Sequence, residues 1–227
     1  MRERFLELEK SRLNHYGFKR LVWSVFALIG HTFFRRFPPN VRVAKDGKRF
    51  LNLGAGEVII DGFVNADFYR LHHLFKSNSA NWMIDITKPL KCKDNFWDGI
   101  IIEHTNEHIL YSENYDLLTE LYRTMKPGGI LRIVVPDLGR YLRWNILKAE
   151  EKKMNRYSSL PEAISNLTQN HLHASVWDYD LMAELLADIG YSEIVESKYG
   201  CSRVKEFIDT PKHEWQSVYI EARKPFS

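Results

Sequence analysis

The sequence predicts an α/β fold in which a doubly wound, mostly parallel sheet carries helices on its faces. From residue 50 onward, short apolar runs typical of buried strands alternate with helix-like runs, and this alternation is typical of parallel sheets. The chain has 227 residues, of which 44% are hydrophobic, enough for one large domain. The last two strand-like runs lie close together in the sequence. We therefore expect them to form an antiparallel pair at one edge of the sheet.

The strands are predicted from apolar and β-branched runs bounded by turn residues. The predicted strands are 49–53, 62–67, 81–86, 97–104, 129–137, 191–199 and 215–223. Only nine residues separate Leu53 from Phe63, whereas a parallel crossover usually takes about a dozen or more. The first crossover helix is therefore predicted to be a single turn or absent.

Two helices are predicted with recognisable ends. The first has apolar residues at helical spacing up to Met125 and stops at the turn sequence 126–129. The second begins at Asp178, a candidate N-cap, and ends at Gly190. Between them, residues 144–176 are predicted to form a polar, helix-prone insertion that covers the site. Substrate choice is predicted to reside in this insertion and in residues 1–40.

Residues 1–40 are predicted to form an N-terminal helical extension in front of the domain, which spans 41–227. A basic, proline-rich connector separates the two. The apolar segment 21–34 has fourteen residues, and a helix of that length, about 21 Å, is shorter than the membrane core of about 30 Å. Packing on the domain and peripheral membrane contact through Trp23 both remain open. We expect no secretory signal, because residues 1–20 are charged throughout.

Charge and cysteine content restrict the partners and the compartment. The net charge is +3, from 32 basic and 29 acidic residues, which argues against a nucleic-acid partner. Cys92 and Cys201 have neither disulfide-framework nor metal-site spacing. A reducing cytoplasm is the expected location, with membrane association through 21–34 left open.

The stretch "RFLNLGAGEVIIDGFVNADFYR", residues 49–70, contains the strongest ligand signal. Gly54 and Gly56 follow a predicted strand and would let the backbone approach a ligand without a Cβ between them. Asp67 follows the next strand, at the edge where carboxylates commonly bind ribose hydroxyls. A nicotinamide motif would add a third glycine and place the acid about 20 residues further on. The pattern therefore indicates a nucleoside-bearing cofactor and argues against a dinucleotide.

Four stretches, in the expected order, resemble the class I S-adenosylmethionine-dependent methyltransferases. The likeness is greatest to the type 11-like branch that is associated with bacterial surface-glycan genes. The stretches are "LNLGAGEVIIDGFVNADF", "MIDITKPLKCKDNFWDGIIIEHTNEHI", "LYRTMKPGGILRIVVPDLGRYL" and "NHLHASVWDYDLMAELLADIGYSEI". They span residues 50 to about 196, and the second and third are the most specific. The resemblance implies a Rossmann-like methyltransferase fold with S-adenosylmethionine as cofactor.

The resemblance also implies which residues bind the cofactor. The glycine segment would pass beneath the methionine and ribose, Asp67 would hold the ribose, Asp85 would meet the adenine, and Glu103 would lie near the sulfonium. The complete implied set is Asn52, Leu53, Gly54, Ala55, Gly56, Asp67, Phe68, Asp85, Ile86, Glu103 and His104. Asn52 departs from the family, since many methyltransferases have an acidic residue there, and Glu57 ends the glycine motif early.

Histidines are the candidate bases at the acceptor. Methyl transfer depends mainly on alignment, and a base is needed only when the acceptor must lose a proton. The predicted catalytic residues are His104, His108, His171 and His173. On a helix, His104 and His108 would share one face. A structural role for His108 and Glu107 is the alternative.

Other polar residues receive more ordinary predictions. The four histidines suit zinc or iron, but the sequence fixes no geometry, so no metal ligand is predicted. Asp137 either lines the pocket or caps the next helix, and capping is favoured. Arg132 and Arg143 are predicted to be surface charges.

The predicted function is methyl transfer from S-adenosylmethionine to a small molecule or a glycan, with O-methylation favoured. One alternative is a catalytically silent domain that binds the cofactor and serves a regulatory or partner-binding role. A weaker alternative is a membrane-peripheral scaffold built on residues 21–34.

Overall fold

The computed structural model describes residues 1–3, 47–68, 80–143, 157, 159–169 and 172–226. Nearly all of the predicted N-terminal extension, including segment 21–34, lies outside these residues, as do His171 and part of the insertion. None of the helices in the described ranges is long and apolar enough to cross a membrane.

A seven-stranded sheet forms the centre of the domain and confirms the predicted fold class. Its strands are β1 (Phe50–Leu53), β2 (Phe63–Asp67), β3 (Trp82–Met83), β4 (Trp97–Glu103), β5 (Met125–Pro136), β6 (Ser192–Ser197) and β7 (Ser217–Arg223). The spatial order is β3-β2-β1-β4-β5-β7-β6. The first five strands pair in parallel, and β7 pairs antiparallel with both β5 and β6. The antiparallel edge pair is confirmed, whereas β3 is much shorter than predicted.

Two helices pack against one face of the sheet. They are α1 (Tyr111–Thr124) and α4 (Tyr179–Ile189), and they contribute Leu118 and Leu185 to the same core as Ile102 of β4. The predicted cap of α4 is confirmed, because the Asp178 carboxylate accepts the Leu181 N–H at 2.9 Å. Its predicted end is also confirmed by Gly190, which has a left-handed φ of 112°.

The predicted turn after α1 lies within strand β5 instead. The helix stops at Thr124 and the strand starts at the next residue. Trp97 pairs with Met125 and Gly99 pairs with Ile130, so residues 126–129 bulge out of the ladder. Residues 126–129 thus interrupt the regular pairing at the predicted position, but they form a bulge within β5 and do not end the strand.

Buried amides take the place of the missing first crossover helix. The link from β1 to β2 has no helix, as predicted. Asn52 donates from Nδ2 to the Asn65 Oδ1 at 2.9 Å and to the Val58 carbonyl at 2.8 Å. Asn65 in turn bonds the backbone N–H and carbonyl of Ile60. These bonds satisfy backbone groups that a helix would otherwise pair, and they fix the loop beyond the glycines.

Shorter helices surround the carboxyl edge of the parallel strands. They are α2 (Leu138–Leu142), α3 (Leu160–Gln169), and the 3₁₀ helices Asn106–His108 and Pro211–Gln216. Helix α3 lies in the predicted insertion, and its Leu167 packs with Tyr141, Tyr157 and Trp215. Asp137 caps α2 by accepting the Gly139 N–H at 2.8 Å, which confirms the capping prediction.

The prediction that Arg132 is a surface charge is wrong. This residue of β5 is fully buried, and all five of its N–H donors are paired. The partners are Asp209, which takes two bonds, Glu221, and the carbonyls of Lys198 and Cys201. Burial alone would lower the pKa of Arg132, but Asp209 and Glu221 raise it overall. Arg143 is exposed, as predicted.

Candidate functional site

A cavity of about 700 Å³ lies at the carboxyl edge of the parallel strands, where ligands of such sheets bind. It runs from the glycine turn after β1 to a group of histidines after β4. Its wall includes Asn52, Gly56, Glu103, Glu107, His173 and His213.

The two glycines of the turn are required for different reasons. Both have left-handed φ angles, 75° at Gly54 and 52° at Gly56. A Cβ on Gly54 would lie 1.9 Å from the Thr105 Oγ1, so this glycine permits packing against the segment that follows β4. A Cβ on Gly56 would meet nothing within 4 Å. Open space therefore lies beside the backbone at Gly56, and the close approach of a ligand predicted for both glycines stays a prediction.

Asp67 connects the end of β2 to the glycine turn. Its two carboxylate oxygens accept the Gly56 N–H and the Phe68 N–H, both at 2.6 Å. The residue is 9% exposed, and each oxygen keeps a second lone pair for a further donor. Asp67 thus fixes the turn, and its ribose-binding role stays a prediction.

The other predicted cofactor residues divide between the cavity wall and its surroundings. Asn52, Gly54, Ala55, Gly56, Glu103 and His104 line the cavity. Leu53, Asp67, Phe68, Asp85 and Ile86 do not belong to its described wall. The Asp85 carboxylate accepts from the backbone and hydroxyl of Thr87 at 2.9 and 2.6 Å. Its adenine-binding role stays a prediction.

Glu103 is held at the end of β4 by the chain that precedes β7. Its carboxylate accepts both the backbone N–H and the hydroxyl of Thr210. Burial raises the pKa of Glu103, and the bonds from Thr210 offset part of that rise. The carboxylate is therefore an oriented acceptor on the cavity wall.

His104 does not share a helix face with His108, and that expectation is wrong. The 3₁₀ helix begins at Asn106, and His104 precedes it with a φ of 48°, uncommon for a non-glycine residue. Ser217 gives its only proton to the His213 carbonyl at 2.7 Å. The Nε2 of His104, 2.8 Å from the Ser217 Oγ, must therefore be the donor of that bond.

The buried carboxylate of Glu107 lies on the other side of His104. Its Oε1 is 3.1 Å from the His104 Nδ1, and the side chain is 2% exposed. This contact does not meet hydrogen-bond geometry, so it is a close charge contact. Within the described residues, neither oxygen of Glu107 accepts a hydrogen bond. Burial alone would raise the pKa of Glu107, but His104 and then His108 lower it overall, which favours an ionised carboxylate.

His108 and His173 meet beside Glu107. Their ring centroids are 5.1 Å apart with an interplanar angle of 75°. The Nδ1 of His173 lies 2.6 Å from the Leu167 carbonyl, which can only accept. Nδ1 is therefore the protonated nitrogen, and the lone pair of a neutral His173 is on Nε2.

Sequence reasoning missed the residues that precede β7. His213 stacks on His104 at a centroid distance of 3.7 Å, and Ser217 and Thr210 bond site residues. Burial first, and then the charge of His104, lowers the pKa of His213 to about 3. Because β7 runs antiparallel to β5, Ser217 pairs with Pro136 at the site edge. The predicted edge pair joined only β6 and β7, so no signal in the sequence indicated that β7 lies beside β5 at this site.

Comparison with solved structures identifies the fold. A methyltransferase from Archaeoglobus fulgidus described as SAM-dependent aligns with a TM-score of 0.52 and 16% identity, covering 89% of this chain and 94% of that one. A possible exported protein from Bordetella parapertussis gives 0.53 and 14%, with coverages of 91% and 68%. Phosphoethanolamine N-methyltransferase 2 from Haemonchus contortus, solved with S-adenosyl-L-methionine, gives 0.51 and 15%, with coverages of 84% and 50%.

No protein-family model matches the sequence, and no curated protein matches it. At these identities the structural likeness establishes the fold alone. The chain has the class I fold of S-adenosylmethionine-dependent methyltransferases.

Proposed function

We propose that the protein transfers a methyl group from S-adenosylmethionine to a hydroxyl of a small molecule or a glycan. The observation that carries this proposal is that the glycine turn and the histidines line one cavity. A donor and an acceptor can thus be held next to each other, and alignment supplies most of the catalysis in methyl transfer. The likeness of the sequence to the type 11-like branch supports a glycan acceptor.

The cofactor end of the cavity fits an adenosyl sulfonium. The open space at Gly56 admits a ligand against bare backbone, and the Asp67 carboxylate lies directly behind that turn. The link between β1 and β2 offers no helix N-terminus for a phosphate. A cavity of about 700 Å³ is within the size range of cofactor sites, about 300–1,000 Å³, and leaves space for an acceptor.

The acceptor end contains the residues that can manage a proton. S-adenosylmethionine supplies a methyl group on a sulfonium sulfur, which takes the electron pair of the carbon–sulfur bond as the acceptor oxygen bonds to carbon. The hydroxyl proton must then go to a base. Both nitrogens of His104 already contact protein groups, Ser217 and Glu107. We therefore assign His104 a positioning role and assign the acceptor contact to His108 and His173.

The silent-domain alternative keeps the cofactor pocket but needs no acceptor site. The ionised carboxylate and the two histidines on the same cavity wall favour turnover over that alternative. A screen of glycan and small-molecule acceptors with labelled cofactor separates the two, because only an active enzyme transfers label. Cofactor binding without transfer to any acceptor would favour the silent domain.

Asp67→Ala tests the cofactor site. The substitution should weaken affinity for S-adenosylmethionine by more than about tenfold, because the ribose hydroxyls lose a charged acceptor and the turn loses its anchor. Isothermal titration calorimetry measures the affinity. Asp61→Ala, at an exposed position of the same loop, is the matched control and should bind as the unmodified protein does. Equal affinity in both variants would remove Asp67 from the site.

A further inference from the structure

We propose that Glu107, His108 and His173 bind one divalent transition-metal ion at the acceptor end of the cavity. All three line that cavity. One ligand atom from each, a carboxylate oxygen or a ring nitrogen, lies within 4.8 Å of the other two. Ligands about 2.1 Å from a tetrahedral zinc stand about 3.4 Å apart. Small side-chain rotations therefore close the cluster around an ion without moving the backbone.

The state of Glu107 is the first independent support. Its carboxylate is 2% exposed, and neither of its oxygens accepts a hydrogen bond from the described residues. Buried charges in proteins are normally paired and hydrogen-bonded, or they coordinate metals. The ion pair with His104 involves one oxygen, and a bound cation would satisfy the other.

The orientation of His173 is the second support. Its Nδ1–H is donated to the Leu167 carbonyl on α3, so the lone pair of a neutral His173 is on Nε2. Metal-binding histidines almost always donate their other ring N–H to a carbonyl or a carboxylate. His173 therefore already has the tautomer that a metal site requires.

The backbone brings the ligands together from distant parts of the sequence. The Glu107 carbonyl accepts the N–H groups of Ala174 and Ser175 at 2.7 and 3.1 Å. This pairing fixes the segment with His173 against the 3₁₀ helix that carries Glu107 and His108. A metal site needs its ligands held in fixed positions, whereas a histidine that only contacts solvent does not.

The ligand set indicates the kind of ion. Two histidines and one carboxylate bind zinc in catalytic sites and iron in oxygenases, and each leaves coordination positions open. Here the open positions would face the cavity. As a consequence that depends on the proposed function, an acceptor hydroxyl bound to the ion would release its proton to water more readily. His108 and His173 would then act as ligands rather than as bases.

Calorimetric titration of the chelator-treated full-length chain with Zn²⁺ tests the proposal. We expect one site that is lost or weakened by more than about 100-fold in Glu107→Gln, His108→Ala and His173→Ala, since even loss of a ligand's supporting partner costs about 10- to 100-fold. Glu214→Gln, an exposed carboxylate nearby, is the control and should bind Zn²⁺ normally. The visible spectrum of the Co²⁺ form should change in the ligand variants and not in the control.

Several results would overturn the metal site. They are absence of stoichiometric binding to the unmodified chain, or Zn²⁺ affinity and Co²⁺ spectra that are unchanged in Glu107→Gln and His173→Ala. Circular dichroism of each variant excludes unfolding as the cause of lost binding. Titration of the same variants with S-adenosylmethionine separates this proposal from the proposed function. Lost metal with retained cofactor in Glu107→Gln, and the reverse in Asp67→Ala, supports two independent sites.

Discussion

Two buried charged groups on this molecule have opposite surroundings. Arg132 is inaccessible to water, and every one of its N–H donors is paired with a carboxylate or a carbonyl. Glu107 is almost equally buried, yet no described residue donates a hydrogen bond to it. Arg132 lies in β5, where it pairs with Glu221 of β7 in the interior of the sheet, and Glu107 lies on the wall of the cavity.

The difference separates a structural charge from a functional one. A buried charge whose hydrogen bonds are all made has none left for a ligand. Its charged partners are buried too, and they depend on it to offset the cost of their own desolvation. A buried carboxylate without donors retains that capacity, and the fold must stabilise it in some other way. Incomplete pairing of this kind is concentrated at functional sites. The comparison therefore predicts different consequences for losing each group.

The largest effect is expected from Arg132→Met. The variant leaves the carboxylate of Asp209 buried without its cation and leaves Glu221, among the described residues, only the more distant cation Arg203, at 3.7 Å. It should therefore lower the free energy of unfolding by about 3–5 kcal/mol. Urea denaturation followed by circular dichroism measures this loss. Arg143→Met, at an exposed position, should change it by no more than about 0.5 kcal/mol. Similar losses in both variants would mean that the buried network does not stabilise the fold.

A smaller effect is expected from Glu107→Gln in metal-free protein. The substitution breaks no hydrogen bond to the carboxylate, and it removes a buried charge whose desolvation is costly, which offsets the lost attraction to His104. We expect a change below about 1 kcal/mol in the free energy of unfolding. Asp209→Asn is the matched change in the other region and should cost about 3 kcal/mol or more, because Arg132 cannot deprotonate. Urea denaturation in the presence of chelator measures both. Equal losses in the free energy of unfolding would contradict the distinction between the two buried charges.

Local signals in the sequence predicted much of the fold and part of the site. Strand runs, the Asp178 cap and the glycine turn each depend on residues close together in the chain, so local pattern was sufficient. The edge pair was also predicted, because β6 and β7 are near neighbours in sequence. These features position the cavity, and Gly56 and Glu103 line it, while their predicted contacts with the cofactor stay predictions.

Contacts between distant residues were beyond local pattern. Arg132 is 77 residues from Asp209 and 89 from Glu221, and strand alternation cannot show what covers a given face. The spacing of His104 and His108 would place both on one face only if a helix ran through them, but the left-handed backbone at His104 places it outside the 3₁₀ helix. The same limit hid the role of His213, whose partner His104 lies far away in the sequence.

The smallest expected effect concerns pH and the half-buried ring of His213. Burial lowers its pKa to about 3 in the folded protein, against about 6.5 in an unfolded chain. Between these values the unfolded state binds a proton that the folded state does not. The contribution of neutral His213 to folding stability is therefore complete above pH 6.5 and decreases as the pH falls. His213→Phe keeps a ring for stacking on His104 but does not titrate.

Urea denaturation at pH 7, 6 and 5 should show a steeper loss of stability in the unmodified protein than in His213→Phe. The difference in slope should be less than about 1.4 kcal/mol per pH unit, because water reaches part of the ring. Parallel pH dependence of the two proteins would show that folding does not keep His213 neutral. The fold would then differ from the prediction that it suppresses the charge of His213 while it retains the charge of Arg132.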